Sequence, residues 1–139
     1  MQNDKTTVIN PTDSLAVASE AVKVLLEKKG LCVKMYDVRE KSAVTDFYVN
    51  ATGRSTTQAA ALADDVCETL EKLGITAMRV EGRRLNNWLL VDYGNVIVNV
   101  FDKPTRDFYD FDRHLPADTL VDIEHLVKEV DEKFDLNKK

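Results

Sequence analysis

The sequence predicts an α/β domain in which a sheet of about five strands is flanked by helices. Two long segments carry apolar residues at helical spacing, and shorter segments between and after them are rich in β-branched and aromatic residues. Gly94-Asn95 separates two apolar runs, as the turn of a β-hairpin does. The 139 residues are the length of one ordinary domain, which buries about two thirds of its unfolded surface without disulfides or metals.

The first helix is predicted to follow a turn at Asn10-Pro11, with a capping side chain among residues 12–14. Its apolar residues recur at helical spacing, and the Lys-Lys-Gly sequence at its end favours termination near Lys29. Residues 1–11 are largely polar, and we expect them to form a flexible tail.

Two strands and a second helix are predicted next. Residues 31–38 and 46–52 have the alternation and the β-branched and aromatic content of strands. Ser55 and Gln58 have the spacing of a capping box, in which each side chain satisfies a free backbone amide of the first helical turn. The helix that begins there is predicted to end at Gly74.

A third strand is predicted over residues 75–81, and the hairpin follows it. Gly94 accepts the positive φ of a two-residue turn, so Tyr93 should pair with Val96. Residues 96–100 are apolar at all but one position, which indicates a central strand covered on both faces. The resulting element order is α-β-β-α-β-β-β.

Side chains of the strand before the hairpin turn alternate between the two faces of the sheet. One face carries Trp88, Leu90 and Asp92, and the other carries Leu89, Val91 and Tyr93. The first face combines a large aromatic ring with a carboxylate. Such a mixture is typical of a recognition surface, because aromatic residues are enriched at interfaces and among their hot spots.

The last part of the chain is predicted to form two helices. Pro104 suits the first turn of a short helix that reaches Tyr109, close to an aromatic group that includes Phe108 and Phe111. A further helix is expected after Pro116, with its apolar side formed by Leu120, Ile123, Val127 and Val130. We therefore divide the chain into a domain at residues 1–115 and a helical extension at 116–139.

The charge of the chain argues against nucleic acid as a partner, and its apolar pattern argues against a membrane. The formal net charge is −5, and no basic cluster is dense enough to follow a phosphate backbone, so sequence-specific binding of nucleic acid is not expected. An acidic surface suits a basic protein partner. Because the sequence shows no charged-then-apolar leader and no apolar run near eighteen residues, we expect neither export nor a membrane partner, and we expect the cytoplasm as the location.

Cysteine and histidine spacing predicts no metal or cofactor. Cys32 and Cys67 are far apart and lack the spacing of a metal or dithiol motif. His114 and His125 are also too distant from each other to form a local metal pair. We therefore expect free thiols and surface histidines.

In this order, the motifs resemble those of the Iojap family, the ribosomal silencing factors, over about residues 13–115. The residues that carry the resemblance are Asp-Val-Arg at 37–39, Thr-Asp-Phe-Tyr-Val at 45–49, Ala-Thr-Gly-Arg-Ser at 51–55, Gln58, Ala-Asp at 63–64, Glu-Gly at 81–82, Trp88, Leu-Val-Asp-Tyr-Gly at 90–94, Val-Asn-Val-Phe at 98–101 and Arg-Asp-Phe-Tyr at 106–109. The resemblance implies a mixed-sheet domain related in fold to the nucleotidyltransferases but without their catalytic carboxylates. It also implies a factor that binds large-subunit ribosomal protein fourteen, blocks joining of the small subunit and lowers translation when nutrients are scarce.

Three departures from the family pattern are visible. Asn95 and Asn99 stand where the family usually has Asp and His, so a titrating role at those positions is absent here. Residues 111–115 contain no Trp, and Leu115 takes the place of the aromatic residue that commonly closes the family core. The helix predicted after Pro116 extends beyond the usual core.

The partner-binding residues that follow from the strand pattern and the resemblance are Glu81, Trp88, Leu90, Asp92, Tyr93, Arg106, Phe108, Tyr109 and Leu115. Each has a purely structural alternative. On base rates Trp88 is more often a core aromatic than an anchor, the carboxylates are more often solvated strand ends, and the other rings pack cores as readily as interfaces. A homodimer that uses the same surface is a further alternative.

The enzymatic rival is a nucleotidyltransferase. Gly53-Arg-Ser55 lies between a strand and a helix whose amino terminus offers a place for phosphate. That chemistry needs converging carboxylates to hold magnesium, and no Asp-x-Asp follows on a neighbouring strand. Asp64 and Asp65 are adjacent on a helix and so point in different directions. We therefore predict no catalytic residues and no enzymatic activity.

Overall fold

The computed structural model describes residues 8–82 and 84–137. Most of the predicted tail at residues 1–11 lies outside this part of the chain. The elements within it are α1 (Ser14–Glu27), β1 (Leu31–Asp37), β2 (Phe47–Gly53), α2 (Thr56–Lys72), β3 (Arg79–Glu81), β4 (Trp88–Asp92), β5 (Val96–Asp102), α3 (Lys103–Tyr109), β6 (Leu120–Val121) and α4 (Glu124–Asn137), with 3-10 turns at Phe111–His114 and Ala117–Thr119.

The strands form one mixed sheet in the order β3-β4-β5-β2-β1-β6. β2 and β5 run parallel, and the other neighbouring strands pair antiparallel. The apolar strand β5 lies between β4 and β2, which confirms its predicted central position. The predicted α/β class is also confirmed, with β6 as one short strand more than the sequence indicated.

Helices α1 and α2 cover one face of the sheet, and the hydrophobic core lies between them and the strands. Alternate residues of the central strands enter this core, as Val96, Val98 and Val100 do in β5. The intervening residues of the same strands, including Asn99 and Phe101, point to the opposite face. That second face is covered only in part, by α3 and the 3-10 turn that follows it.

Side-chain caps begin each of the first three helices. Asp13 accepts from the backbone N–H of Ala16 at 3.1 Å, and Ser55 accepts from Gln58 N–H at 3.1 Å. The Gln58 side chain accepts from the N–H of Arg54, one residue before the position that a regular capping box uses. The predicted cap at Ser55 is therefore confirmed, and its reciprocal bond is displaced by one residue.

The hairpin has the predicted register, because Tyr93 N–H donates to the Val96 carbonyl at 2.9 Å and Gly94 has a φ of 86°. The preceding strand is shorter than predicted. Only Arg79–Glu81 pairs with β4, whereas Ile75 is buried in the core before the strand begins. Its apolar character thus reflected core packing rather than strand pairing.

The segment after Pro116 differs from the predicted continuous helix. A 3-10 turn leads to β6, which pairs with β1, and α4 begins only at Glu124. Leu120 therefore belongs to a strand and is half exposed, while Leu126 and Val130 are buried. The predicted apolar side is right in part: Val130 is buried and Ile123 packs against the core, whereas Leu120 lies in β6 and Leu126 is buried at a position that was not predicted.

Helix α4 is held against α1 by apolar contacts and by two exposed ion pairs. Lys23 contacts Glu129 at 2.9 Å, and Lys133 contacts Glu27 at 2.8 Å. The segment that the sequence marked as an extension thus contributes a strand to the sheet and two side chains to the core. No helix in the described ranges is both long enough and apolar enough to cross a membrane.

Candidate protein-binding site

The partly covered face of the sheet is where most of the predicted contact residues meet. Six rings lie together there, and we call them the aromatic cluster: Tyr48, Trp88, Phe101, Phe108, Tyr109 and Phe111. Strands β2, β4 and β5 contribute the first three rings from the sheet. Helix α3 and the 3-10 turn after it contribute the others from above.

The aromatic cluster extends from the core to the surface. Phe101 is fully buried, and the half-buried ring of Trp88 lies on it with 4.9 Å between centroids. Tyr109 lies 5.0 Å from Trp88, and Phe108 lies 5.1 Å from Tyr109. Phe108 is 79% exposed and Tyr109 is 51% exposed. Large rings exposed next to one another, on a buried aromatic base, are the kind of surface that binds other proteins.

A chain of hydrogen bonds runs beneath the aromatic cluster, and we call it the polar chain: Trp88, Asn99, Asn50 and Asp112. The Trp88 indole N–H donates to Asn99 Oδ1 at 3.0 Å. Asn99 Nδ2 donates to Asn50 Oδ1 at 3.1 Å, and Asn50 Nδ2 donates to Asp112 Oδ1 at 2.9 Å. Asn50 and Asn99 are 0% and 1% exposed, and they face each other across the parallel pair of β2 and β5.

Arg106 anchors the far end of the polar chain. Its Nη2 donates to Asp112 Oδ2, while its Nη1 donates to Thr52 Oγ1 at 2.8 Å and to the Cys32 carbonyl at 2.9 Å. Cys32 lies at a bulge in β1 and has a positive φ of 48°. Arg106 was predicted to contact a partner, but its guanidinium is directed inward and its side chain is only 11% exposed.

The Tyr36 hydroxyl donates a hydrogen bond to Asp112 Oδ2, with 3.1 Å between the oxygens. Burial, together with the negative charge of Asp112, raises the pKa of Tyr36 to about 12. The carboxylate of Asp112 thus receives hydrogen bonds from Asn50, Arg106 and Tyr36, which belong to three different elements. These bonds compensate for its partial burial.

The two predicted carboxylates on the β3 and β4 side are both near Arg79. Its Nε lies 3.1 Å from Glu81 Oε2 and 3.3 Å from Asp92 Oδ2. Asp92 also accepts from Gly94 N–H at 2.7 Å, which supports the hairpin turn. Leu90 lies between these carboxylates in β4 and is half-buried.

Tyr93 does not join this surface. It is 8% exposed and lies in the core on the helix-covered face. Burial, aided by Cys67 and Glu71, raises the pKa of its hydroxyl. The alternation that the sequence itself shows puts Tyr93 with Leu89 and opposite Trp88, so its inclusion among surface contacts was wrong on geometric grounds.

The last predicted residue, Leu115, ends the 3-10 turn that carries Phe111 and Asp112. It is half-buried, and its N–H donates to the Asp112 carbonyl at 3.1 Å. Asn50, Asn99 and Asp112 were not among the predicted site residues. The signal for the first two was present, because each is the single amide side chain in a strand of mainly apolar residues.

Near Gly53, the residues considered for a nucleotidyltransferase site make structural contacts. Ser55 is used as a helix cap, and Arg54 Nη1 donates to the Lys29 carbonyl at 3.2 Å. Across residues 8–82 and 84–137, no three His, Cys, Asp or Glu side chains are grouped so as to hold a metal ion. A cleft of about 580 Å³ beside Arg106 is lined by both cations and carboxylates, among them Lys103 and Asp107.

Comparison with known proteins gives a consistent result. The family model described as "Ribosomal silencing factor during starvation" matches residues 11–138. A Haemophilus influenzae protein named ribosomal silencing factor RsfS is 33% identical over 85 residues, which are 61% of this chain and 83% of that protein. A crystal structure of a Chromobacterium violaceum protein has a TM-score of 0.71 and 28% identity, covering 76% of this chain and 92% of that one. A Bacillus halodurans crystal structure has a TM-score of 0.64 and 30% identity, covering 78% and 95%.

Proposed function

The chain belongs to the ribosomal silencing factor family, and from this premise we propose that it silences translation by binding large-subunit ribosomal protein fourteen. In this proposal the bound protein occupies the subunit interface and blocks association of the small and large ribosomal subunits when nutrients are scarce. The protein acts in the cytoplasm, where the ribosomes are. The mechanism is steric exclusion and involves no catalytic step.

The observation that carries the proposal is the exposure of two neighbouring rings, Tyr109, which contacts Trp88, and Phe108, which contacts Tyr109. Phe108 is 79% exposed and has no function in the core. Aromatic residues that are held rigidly at a surface lose little side-chain entropy when a partner covers them, and they are frequent hot spots. The aromatic cluster therefore provides the anchor of the proposed interface.

Charge around the aromatic cluster supports a basic partner. Asp107 and Asp110 flank the exposed rings, and Glu81 lies on the β3 side. Their ion pairs with Lys103, Arg113 and Arg79 are exposed pairs. Exposed ion pairs contribute little free energy, so a partner's Lys or Arg side chains can replace the intramolecular cations at small cost. The net charge of −5 adds long-range attraction to a basic protein.

The direct test is sedimentation of the purified protein with purified ribosomal subunits. We expect it to sediment with large subunits and not with small subunits, and to bind isolated ribosomal protein fourteen. When both subunits are mixed at a magnesium concentration that favours joining, added protein should shift the sucrose-gradient profile from joined ribosomes to free subunits. Unchanged joining at saturating protein would exclude the steric mechanism even if binding is observed.

A second copy of the chain is the competing occupant of the same surface. Size-exclusion chromatography with and without ribosomal protein fourteen separates the two cases. A homodimer that uses the aromatic cluster should dissociate when the ribosomal protein binds, because both contacts need Phe108 and Tyr109.

A further inference from the structure

We propose that Asn99, Asn50 and Asp112 are positioning residues that hold the aromatic cluster in its binding conformation. They make no direct contact with the partner. Instead, the polar chain fixes the Trp88 indole from below and ties the sheet to the turn that follows α3. This inference rests on the proposed function, since it assigns a purpose to residues beneath the proposed interface.

The polar chain has a single direction, set by its two ends. The indole of Trp88 can only donate a hydrogen bond, and the carboxylate of Asp112 can only accept. Between them, each amide must turn its oxygen toward Trp88 and its nitrogen toward Asp112. If either amide were reversed, two donors or two acceptors would face each other in a buried site. Both ends therefore specify one arrangement of all four side chains.

Burial makes this arrangement strict. Asn50 and Asn99 are almost completely shielded from water, so a broken bond cannot be replaced by solvent. Neither amide is needed to fill the hydrophobic core, because both point to the opposite face of the sheet from α1 and α2. A pair of apolar residues would have filled the space between β2 and β5 without this hydrogen-bonding constraint.

The same network positions the exposed rings of α3. Asp112 is bound by Arg106, which in turn is bound to β2 through Thr52 and to β1 through the Cys32 carbonyl. Phe108 and Tyr109 follow Arg106 within the same short helix. Helix α3 has no buried residue of its own, so these polar contacts, with the ring contacts of Tyr109, determine where it lies.

The polar chain holds the aromatic cluster in its binding conformation before a partner arrives. A surface that is already in its bound conformation pays less entropy when a partner docks. Loss of the polar chain should therefore weaken binding to the large subunit without removing any contact atom.

The experiment uses the fact that Trp88 is the only tryptophan in the chain. Its indole proton gives one resolvable signal in a ¹H–¹⁵N NMR spectrum, and its exchange with deuterium can be compared with that of β5 backbone amides. Asn50 is hydrogen-bonded to Asn99 and Asp112 and reaches Trp88 only through Asn99. In Asn50→Ala we expect indole exchange to accelerate at least about tenfold relative to those amides. Affinity for large subunits should fall about tenfold.

Asn95→Ala is the matched control. Asn95 donates to the Pro11 carbonyl at 2.8 Å, at the opposite end of the sheet, and is not part of the polar chain. Its loss should leave both the indole exchange and the affinity unchanged. If Asn50→Ala does not fold, Asp112→Ala serves instead, because it removes the oxygen that accepts from Asn50 Nδ2 together with the charge that binds Arg106; the same acceleration is expected.

Three results would overturn the positioning proposal: rapid indole exchange in the wild-type protein, unchanged exchange in Asn50→Ala or Asp112→Ala, or faster exchange with full affinity. Failure of the proposed function looks different. In that case Trp88→Ala binds large subunits as well as the wild type does, or the wild type does not bind them at all. The exchange measurement does not depend on binding, so it still decides whether the polar chain holds the indole.

Discussion

Gly82 approaches Trp88 so closely that a β-carbon at position 82 would lie 2.0 Å from the Trp88 carbonyl oxygen. Gly82 also has a φ of 91°, in the region that favours glycine. This contact lies where β3 ends and β4 begins. The backbone that leads into Trp88 is therefore placed by a position that accepts no side chain.

Gly82→Ala should strongly destabilise the protein. A positive φ costs a non-glycine residue about 1 kcal/mol or more, and here backbone atoms must also move to relieve the overlap. Gly74→Ala is the control, because Gly74 has a φ of 92° but its β-carbon would meet only the side chain of Val8 at 3.1 Å. We expect chemical denaturation to show at least about 2 kcal/mol more destabilisation for Gly82→Ala. Equal losses would show that the overlap relaxes freely.

Phe108→Ala should weaken binding to large ribosomal subunits while leaving the fold stable. Phe108 is 79% exposed, so its truncation removes little buried area. Loss of a central aromatic anchor costs about 2 kcal/mol, or about thirtyfold in affinity. Met78→Ala is the control, since Met78 is 72% exposed beside the other end of β4. Co-sedimentation titrations should show loss for the first variant only; equal binding by both would remove Phe108 from the interface.

Trp88→Ala should have two effects, on binding and on stability. The ring contacts Phe101, Tyr109 and Phe111, and its N–H bonds to Asn99, so truncation leaves a cavity and an unpaired buried amide. We expect a loss of about 3 kcal/mol in unfolding free energy, with large-subunit binding abolished at micromolar protein. Thermal unfolding and co-sedimentation measure the two effects separately. Wild-type stability in this variant would contradict the packing of the Trp88 ring on its three aromatic neighbours.

Much of the fold was predictable because its local signals agree with its packing. The cap at Ser55, the hairpin register at Tyr93 and Val96, and the central position of β5 all depend on short-range sequence patterns. The offset of α4 was not predictable, because the two-residue strand β6 is defined only by its pairing with Met35 and Tyr36 of β1. A pair that short has no periodicity of its own.

The candidate site also has a part that the sequence predicts and a part that it does not. The outward face of Trp88, Leu90 and Asp92 follows from alternation along β4. The inward direction of Arg106 does not, since it depends on Asp112 after the end of α3 and on the bulge carbonyl of Cys32 in β1. The Cys32 contact joins residues distant in sequence, and Asp112 lies beyond the end of the helix that carries Arg106, so no spacing rule relates these residues.

Arg106→Lys should lower stability even though the charge is kept. A lysine ammonium cannot reach the Asp112 carboxylate, the Thr52 hydroxyl and the Cys32 carbonyl with the fixed geometry of a guanidinium. Loss of two of these bonds predicts a decrease of about 2 kcal/mol in unfolding free energy. Arg113→Lys is the control, because the Arg113 side chain is 83% exposed and contacts only Asp110 among the described residues. Denaturant titration of both variants provides the comparison, and a neutral Arg106→Lys would mean that the anchor is dispensable.

Tyr36→Phe should reduce the fall in stability that the protein undergoes at alkaline pH. Burial and Asp112 raise the pKa of Tyr36 from 10.0 to about 12 in the folded state. Between these values the unfolded chain releases the proton while the folded protein retains it, so unfolding becomes more favourable as the pH rises. At neutral pH the variant should lose about 1 kcal/mol with its bond to Asp112, yet its stability should fall less steeply from pH 10 to pH 12. Tyr48→Phe is the comparison, since burial alone raises the pKa of Tyr48 without the added charge of a carboxylate such as Asp112, and its effect on the slope should be weaker. Urea denaturation at a series of pH values measures both slopes, and parallel curves for wild type and Tyr36→Phe would show that the Tyr36 proton does not contribute.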